Sequence, residues 1–221
     1  MAFAYKAVVF DMDGTLIDSE RALLGLWQFY ALEAGYVFAR EVMESTVGIT
    51  YEDTIRVITA AYPEAPHAEI RAKMSARMRQ KRENGELGLM PGARETLERV
   101  AALGLPIGLC TSTRGPAAVE TLKNAGIFHF FKAAVYGDEI TRGKPDPEPY
   151  LLIASKLGVD PGDCLAVEDT PSGARSALAA GMAVAVVPDI VAVPPDVAAR
   201  AAVLERVTQT VGLLTGEYCQ R

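Results

Sequence analysis

Short apolar runs alternate with segments of helical periodicity along most of the chain. Five runs of four or five apolar residues predict buried strands at residues 7–10, 107–110, 133–136, 164–167 and 183–187. After the later runs, apolar residues recur every three or four positions, and this predicts helices over residues 93–103, 116–125, 147–157 and 172–180. Strands that alternate with helices indicate an α/β fold with a doubly wound parallel sheet.

The interval between the first two predicted strands is too long for a simple crossover connection. Residues 18–87 contain several helical stretches and no clear strand. We therefore predict an α-helical domain of residues 18–87, here called the helical insert, within an α/β core domain of residues 1–17 and 88–221. Helical spacing also predicts a C-terminal helix over one sheet face, carried by Val203, Val207, Val211 and Leu214.

Composition and charge argue against several classes of protein. The chain has 221 residues, a net charge of -6 and a pI of about 5.1, unlike a nucleic-acid-binding protein. No apolar stretch approaches the ~20 residues that span a bilayer, and the first residues lack a signal-peptide pattern. The three cysteines have no metal-binding spacing, which indicates reduced thiols. We expect a cytoplasmic monomer or weak homodimer that binds neither nucleic acid nor membrane.

Polar side chains follow four of the predicted strands. They are Asp11 and Asp13, then Thr111 and Ser112, then Lys144, and finally Glu168 and Asp169. Because the carboxyl ends of parallel strands meet at one edge, we expect these side chains to lie close together. Several carboxylates at one place require a cation, and an all-oxygen site without His or Cys favours Mg²⁺. The lysine and the hydroxyls would then face an anion, a combination typical of phosphoryl transfer.

Plainer interpretations of the same residues exist. Asp13-Gly14 is also a common turn sequence. Thr111-Ser112 and Glu168-Asp169 could serve as helix caps, and Lys144 could be a solvated loop charge.

Four segments, in this order, resemble the motifs of the haloacid dehalogenase superfamily. They are VVFDMDGTL at residues 8–16, LCTST at 109–113, GKPDP at 143–147 and VEDTPSG at 167–173. The helical insert is similar to the cap domain that this superfamily places after its first motif. The chain looks most like the subgroup that contains β-phosphoglucomutase, phosphoglycolate phosphatase and small sugar-phosphate phosphatases.

The resemblance implies a role for each motif residue. Asp11 would be the nucleophile that forms an aspartyl phosphate, and Asp13 would be the general acid and base. The phosphoryl group would be bound at Gly14, Thr111, Ser112 and Lys144. The implied Mg²⁺ ligands are Asp11, the backbone carbonyl of Asp13, Asp169, and Glu168 directly or through water.

The resemblance also narrows the substrate. Because Asp13 can protonate a leaving alcohol, phosphate esters are favoured over haloacids. Residues 47–54 resemble the substrate loop of the mutase and make Gly48 and Tyr51 candidate substrate contacts, together with Arg114. The mutase has a basic residue where this chain has Tyr51, so we favour a phosphatase acting on a small phosphorylated metabolite, such as a sugar phosphate or a phosphoglycolate-like compound.

Two alternatives and one further feature remain from the sequence. The alternatives are a β-phosphoglucomutase-like mutase and a non-catalytic binding protein on the same fold. The further feature is a basic helix in the insert, formed by Arg71, Lys73, Arg77, Arg79, Lys81 and Arg82. We interpret it as a solvated face rather than a substrate site.

Overall fold

The computed structural model describes residues 5–48 and 51–217, except for the side chains of Tyr51 and Glu52. Its strands pair in parallel in the order β3-β2-β1-β4-β5-β6. They are β1 (Ala7–Phe10), β2 (Ile107–Cys110), β3 (Phe131–Val135), β4 (Cys164–Glu168), β5 (Ala183–Val186) and β6 (Ala202–Val203). The predicted doubly wound parallel α/β sheet is confirmed.

Helices cover both faces of this sheet. The helices of the described residues are α1 (Glu20–Glu33), α2 (Arg40–Glu44), α3 (Tyr51–Ala61), α4 (His67–Glu83), α5 (Ala93–Ala102), α6 (Gly115–Asn124), α7 (Glu148–Leu157), α8 (Pro171–Ala179), α9 (Pro195–Ala198) and α10 (Thr210–Thr215), of which α5–α10 cover the sheet. Because side chains alternate along a strand, Val8 and Phe10 pack towards α5 and α6, whereas Ala7 and Val9 pack towards α7 and α8. No helix within residues 5–48 and 51–217 combines the length and the apolar character needed to cross a membrane.

Helices α1–α4 lie between β1 and α5 and pack around an apolar cluster of their own. Its largest members are Trp27, Phe38, Met43, Ile58, Ile70 and Met74. The two segments that connect these helices to the sheet pair with each other. Asp18 N donates to Gly88 O at 2.9 Å, and Met90 N donates to Leu16 O at 2.9 Å. The predicted domain boundaries, after residues 17 and 87, fall in this paired connection, and the division into two domains stays a prediction.

The predicted C-terminal helix is wrong in its first part. Residues 202–203 form β6, which pairs with β5, and the α-helical segment is confined to α10. Periodicity could not reveal that the edge of β5 offers backbone partners to an extended segment. Val203 is 38 % exposed at this edge. The later apolar residues still cover one sheet face, as predicted, through Leu204, Val207, Val211 and Leu214.

Candidate active site

A buried lysine joins the ends of two neighbouring strands. Asp11 follows β1 directly, and Glu168 is the last residue of β4. Lys144 Nζ lies 2.6 Å from Asp11 Oδ1 and 2.6 Å from Glu168 Oε1, and it donates to Cys110 O at 3.0 Å. Burial opposes the charge of Lys144, but the carboxylates of Asp11 and Glu168 raise the pKa of the ammonium well above its ordinary value. Lys144 is therefore a permanently charged part of this edge.

Three carboxylates at the same edge form a potential cation site. One oxygen each of Asp11, Glu168 and Asp169 can be chosen so that all three lie within 4.8 Å of one another. Burial, followed by the charges of Asp11 and Glu168, raises the pKa of Asp169 well above its ordinary value. One ammonium does not balance three carboxylates, so a hard divalent cation fits both the charge and the all-oxygen donor set.

Asp13 points away from these carboxylates, into a set of hydroxyl groups. Its Oδ1 accepts from Ser19 Oγ at 2.6 Å, and its Oδ2 accepts from Thr111 Oγ1 at 3.1 Å and from Thr113 Oγ1 at 2.7 Å. Asp11 and Asp13 thus occupy different environments. Ser19 and Thr113 were not among the predicted site residues.

The carboxylates of Glu168 and Asp169, at the end of β4, are closely packed by neighbouring residues. Tyr150 in α7 is fully buried and donates to Glu168 Oε1 at 2.5 Å. A Cβ atom on Gly173 would clash with the Glu168 carboxylate, and one on Gly14 would clash with Asp169. Gly14 also has φ +80°, a conformation that favours glycine. Sequence reasoning missed Tyr150 and Gly173, because both look like ordinary helix residues.

A cavity of about 1130 Å³ lies between this edge and the helical insert. The core side of the lining includes Asp11, Asp13, Ser112, Arg114, Lys144 and Asp169. The insert side includes Glu20, Leu23, Trp27, Thr54, Met74, Met78 and Arg82. We call this space the active-site cavity. Ser112 and Arg114 are exposed at its wall, and its volume suits a small organic ligand.

The predicted substrate loop of the insert touches the core. Gly48 lines the cavity with φ +75°, and a Cβ atom there would lie 2.7 Å from Thr170 Cβ. Glycine therefore permits a close approach of insert and core at this point. The Tyr51 side chain, the other predicted contact from this loop, lies outside the described residues.

The basic helix is not a uniform solvated face. Lys73 pairs with Glu33 at 2.5 Å, and Arg77 and Lys81 both pair with Glu86, at 2.8 Å and 3.4 Å. Arg82 lines the active-site cavity. The interpretation as a solvated face is therefore wrong for Arg82.

The chain is similar in sequence and in fold to known hydrolases. Residues 5–181 match the family of haloacid dehalogenase-like hydrolases. The chain is 32 % identical over 178 residues to a phosphorylated carbohydrates phosphatase of Thermotoga maritima, covering 80 % of this chain and 82 % of the relative. It is 30 % identical over 185 residues to a β-phosphoglucomutase of Bacillus subtilis, covering 80 % of each chain. A hydrolase structure from Deinococcus radiodurans, 24 % identical, superposes with a TM-score of 0.79 over 96 % of this chain and 98 % of its own, which supports the fold.

Proposed function

This chain belongs to the haloacid dehalogenase-like hydrolase family, and we propose that it is a Mg²⁺-dependent phosphatase of a small phosphate monoester. The observation that carries the proposal is the separation of two neighbouring acids. Asp11 accepts a hydrogen bond from Lys144 within the carboxylate cluster, whereas Asp13 accepts hydrogen bonds from hydroxyl groups. Both acids line the active-site cavity. This separation supports nucleophilic attack by Asp11 and proton transfer by Asp13.

Asp11 is the proposed nucleophile. One of its oxygens attacks phosphorus, the bond between phosphorus and the ester oxygen breaks, and an aspartyl phosphate forms. Lys144, at 2.6 Å from Asp11 Oδ1, offsets the repulsion between the carboxylate and the anionic phosphoryl group. Mg²⁺ held by Asp11, Asp169, the Asp13 backbone carbonyl and Glu168 would supply further positive charge to the phosphoryl oxygens. Gly14, Thr111 and Ser112 would complete the phosphate-binding site.

Asp13 is the proposed general acid and base. It donates a proton to the ester oxygen as that oxygen leaves as an alcohol. It then accepts a proton from the water that attacks the aspartyl phosphate, which releases inorganic phosphate and restores Asp11. Ser19, Thr111 and Thr113 hold the Asp13 carboxyl in orientation through their hydroxyls. Proton transfer of this kind contributes roughly 10²–10⁴-fold.

The helical insert would act as a cap domain over the substrate. Its apolar side chains at the cavity, Leu23, Trp27 and Met78, suit the carbon skeleton of a sugar phosphate. The paired segments at residues 16–18 and 88–90 would be the hinge, and closure would exclude bulk water from the reacting phosphoryl group. The phosphorylated carbohydrates phosphatase from Thermotoga maritima supports this substrate class.

A phosphate-release screen over sugar phosphates, polyol phosphates and 2-phosphoglycolate, with Mg²⁺ or with EDTA, tests the proposal. We expect release from at least one monoester and its loss in EDTA. Absence of release from every monoester would contradict the phosphatase assignment.

A mutase is the second candidate, supported by the β-phosphoglucomutase from Bacillus subtilis and by Arg114 at the cavity wall. Following β-glucose 1-phosphate by ³¹P NMR separates the two functions. A phosphatase yields inorganic phosphate, whereas a mutase yields glucose 6-phosphate. A non-catalytic binding protein would yield neither, although it would bind the compound.

A further inference from the structure

Arg82 lies at the wall of the active-site cavity, and one nitrogen of its side chain has no partner among the described residues. It lies one residue before the end of α4 and lines the cavity with Met78, one turn earlier. Its Nε is buried, and within the part of the chain that the structure describes it has no hydrogen-bond partner. The protein therefore satisfies the guanidinium only in part, and the side chain, which lines the cavity, is suited to an anionic ligand.

The backbone of Arg82 is fixed to the core. Asn124 Nδ2, in the last residue of α6, donates to Arg82 O at 2.6 Å. Arg82 is therefore held at the contact between α4 and α6, and its side chain does not depend on a mobile loop for its position.

The neighbouring cations of α4 are occupied or exposed, unlike Arg82. Arg77 and Lys81 share Glu86, and Lys73 pairs with Glu33 and Glu69. Arg79 is exposed. Arg71 donates to the backbone carbonyl of His67. Arg82 thus differs from the other cations of its helix.

The other cations of the cavity are paired or exposed. Lys144 contacts Asp11 and Glu168. Arg114 is exposed at the cavity wall. Arg82 has no ion pair among the described residues, and its charge is available to a substrate.

The contact of Arg82 with the end of α6 indicates how far it lies from the reacting groups. The first turn of α6 follows β2 and lies at the edge that carries Asp11, whereas Asn124 ends the helix. A ten-residue helix is about 15 Å long. Arg82 reaches the cavity from the far end of α6, so it would contact a part of the substrate remote from the phosphoryl group.

We propose that Arg82 is a specificity-determining residue that binds a second oxyanion, a carboxylate or phosphate, at the opposite end of a hexose-sized substrate. The inference rests on the proposed phosphatase function and narrows its substrate class. It favours sugar-acid phosphates and sugar bisphosphates over 2-phosphoglycolate, whose carboxylate lies too close to its phosphate to reach Arg82.

Two matched substrate pairs test the inference with wild type, Arg82→Gln and Arg82→Lys. The pairs are 6-phosphogluconate with glucose 6-phosphate, and fructose 1,6-bisphosphate with fructose 6-phosphate. We expect wild type to prefer the doubly anionic member of at least one pair. Arg82→Gln should lower kcat/KM for that member by about 10–100-fold, mainly through KM, and should change its partner by less than about threefold. The carboxylate pair and the phosphate pair identify which oxyanion is bound.

Arg79→Gln is the matched control, because it removes a charge from the same helix at an exposed position. It should leave both pairs unchanged, and Arg82→Lys should recover part of the preference. Equal losses for both members of a pair, or the same loss in Arg79→Gln, would overturn the inference.

A binding measurement keeps the inference separate from the proposed function. If wild type hydrolyses none of these compounds, the phosphatase proposal fails for them, whereas Arg82 is still tested by ligand-induced shifts in Tm. We expect the doubly anionic ligands to raise Tm more than their partners in wild type and Arg79→Gln, and not in Arg82→Gln. No difference between ligands in wild type would refute the second oxyanion site.

Discussion

The two sides of the active-site cavity differ in how completely their polar groups are paired. On the core side, Lys144 contacts both Asp11 and Glu168, and Asp13 accepts from three hydroxyls. On the insert side, apolar side chains such as Trp27 and Met78 line the cavity, and Arg82 Nε has no partner among the described residues. A fully paired group cannot adjust to different ligands without losing contacts. We therefore assign the chemistry to the core side and the selection of substrate to the insert.

The strongest test of this division is Asp11→Asn. An amide is a poor nucleophile and does not supply the same negative oxygen to a cation. We expect turnover of every substrate to fall by at least ~10³-fold, whatever its organic part. Phosphate release under saturating substrate measures the loss.

Two controls accompany this variant. Its circular dichroism should match that of wild type, since the amide has nearly the same size as the carboxylate. Retention of full activity by Asp11→Asn would remove the nucleophile assignment.

Asp13→Asn tests proton transfer on the same side. We expect losses of about 10²–10⁴-fold for sugar phosphates, because the leaving alkoxide requires a proton. Formation of the aspartyl phosphate from p-nitrophenyl phosphate should be affected much less, since nitrophenolate leaves without protonation. A burst of nitrophenol in rapid-mixing experiments measures that step.

Thr113→Val is the matched control, because it removes one hydroxyl contact to Asp13 and keeps the acid. It should produce a smaller loss with the same dependence on the leaving group. If Asp13→Asn slowed formation of the aspartyl phosphate equally from a sugar phosphate and from p-nitrophenyl phosphate, the role of Asp13 as an acid would be contradicted.

The core side was also the part of the cavity that could be predicted from the sequence. Short apolar runs located β1 to β5, and the polar residues after them were predicted to share one edge, where the structure places them. This works because parallel strands bring their carboxyl ends together whatever the details of packing. The roles assigned to Asp11, Asp13 and Lys144 stay predictions until they are measured.

The contacts that sequence reasoning missed depend on how separate elements dock. Tyr150 reaches Glu168 only because α7 packs on the sheet face to which Cys164 and Ala166 of β4 also point. In the sequence, Arg82 is one of several basic residues in a row. Its different environment becomes visible only when α4 docks against α6. Likewise, β6 forms because β5 leaves an edge to pair with.

Cation binding should distinguish the two sides by stability. Because burial and the neighbouring carboxylates raise the pKa of Asp169, its ionised form destabilises the fold as pH rises above the pKa of the unfolded state. Mg²⁺ bound to the carboxylates would offset this, and at 100 times its Kd would add about 2.7 kcal/mol to the free energy of unfolding. We expect a Tm increase of about 5–10 °C at pH 8 and a smaller one at pH 6, measured by differential scanning fluorimetry.

Asp169→Asn should lose most of this Mg²⁺ effect, whereas Arg82→Gln, on the insert side, should keep it. A Mg²⁺ effect that is equally large at both pH values would show that protons do not compete at this site.

Glu20 is the exception to the division, since it is a carboxylate of the insert that lines the cavity. Burial, then the charges of Asp13 and Asp189, raise the pKa of Glu20 from 4.5 to about 7. Between these two values the folded state binds more protons than the unfolded state, so this residue lowers the free energy of unfolding as pH rises from about 4.5 to 7. Glu20→Gln removes that dependence. Between pH 5 and 8, we expect the free energy of unfolding to decrease in both proteins, and the decrease should be about 1–3 kcal/mol smaller in the variant than in wild type.

Urea unfolding of both proteins in EDTA measures the difference, which includes the contribution of the Glu20 charge to the raised pKa of Asp169. Glu33→Gln supplies a control on the same helix, where the carboxylate is exposed and pairs with Lys73. If Glu20→Gln and wild type show parallel pH profiles, Glu20 does not titrate in this range. Glu20 would then no longer be an exception, and the contrast between the two sides of the cavity would become sharper.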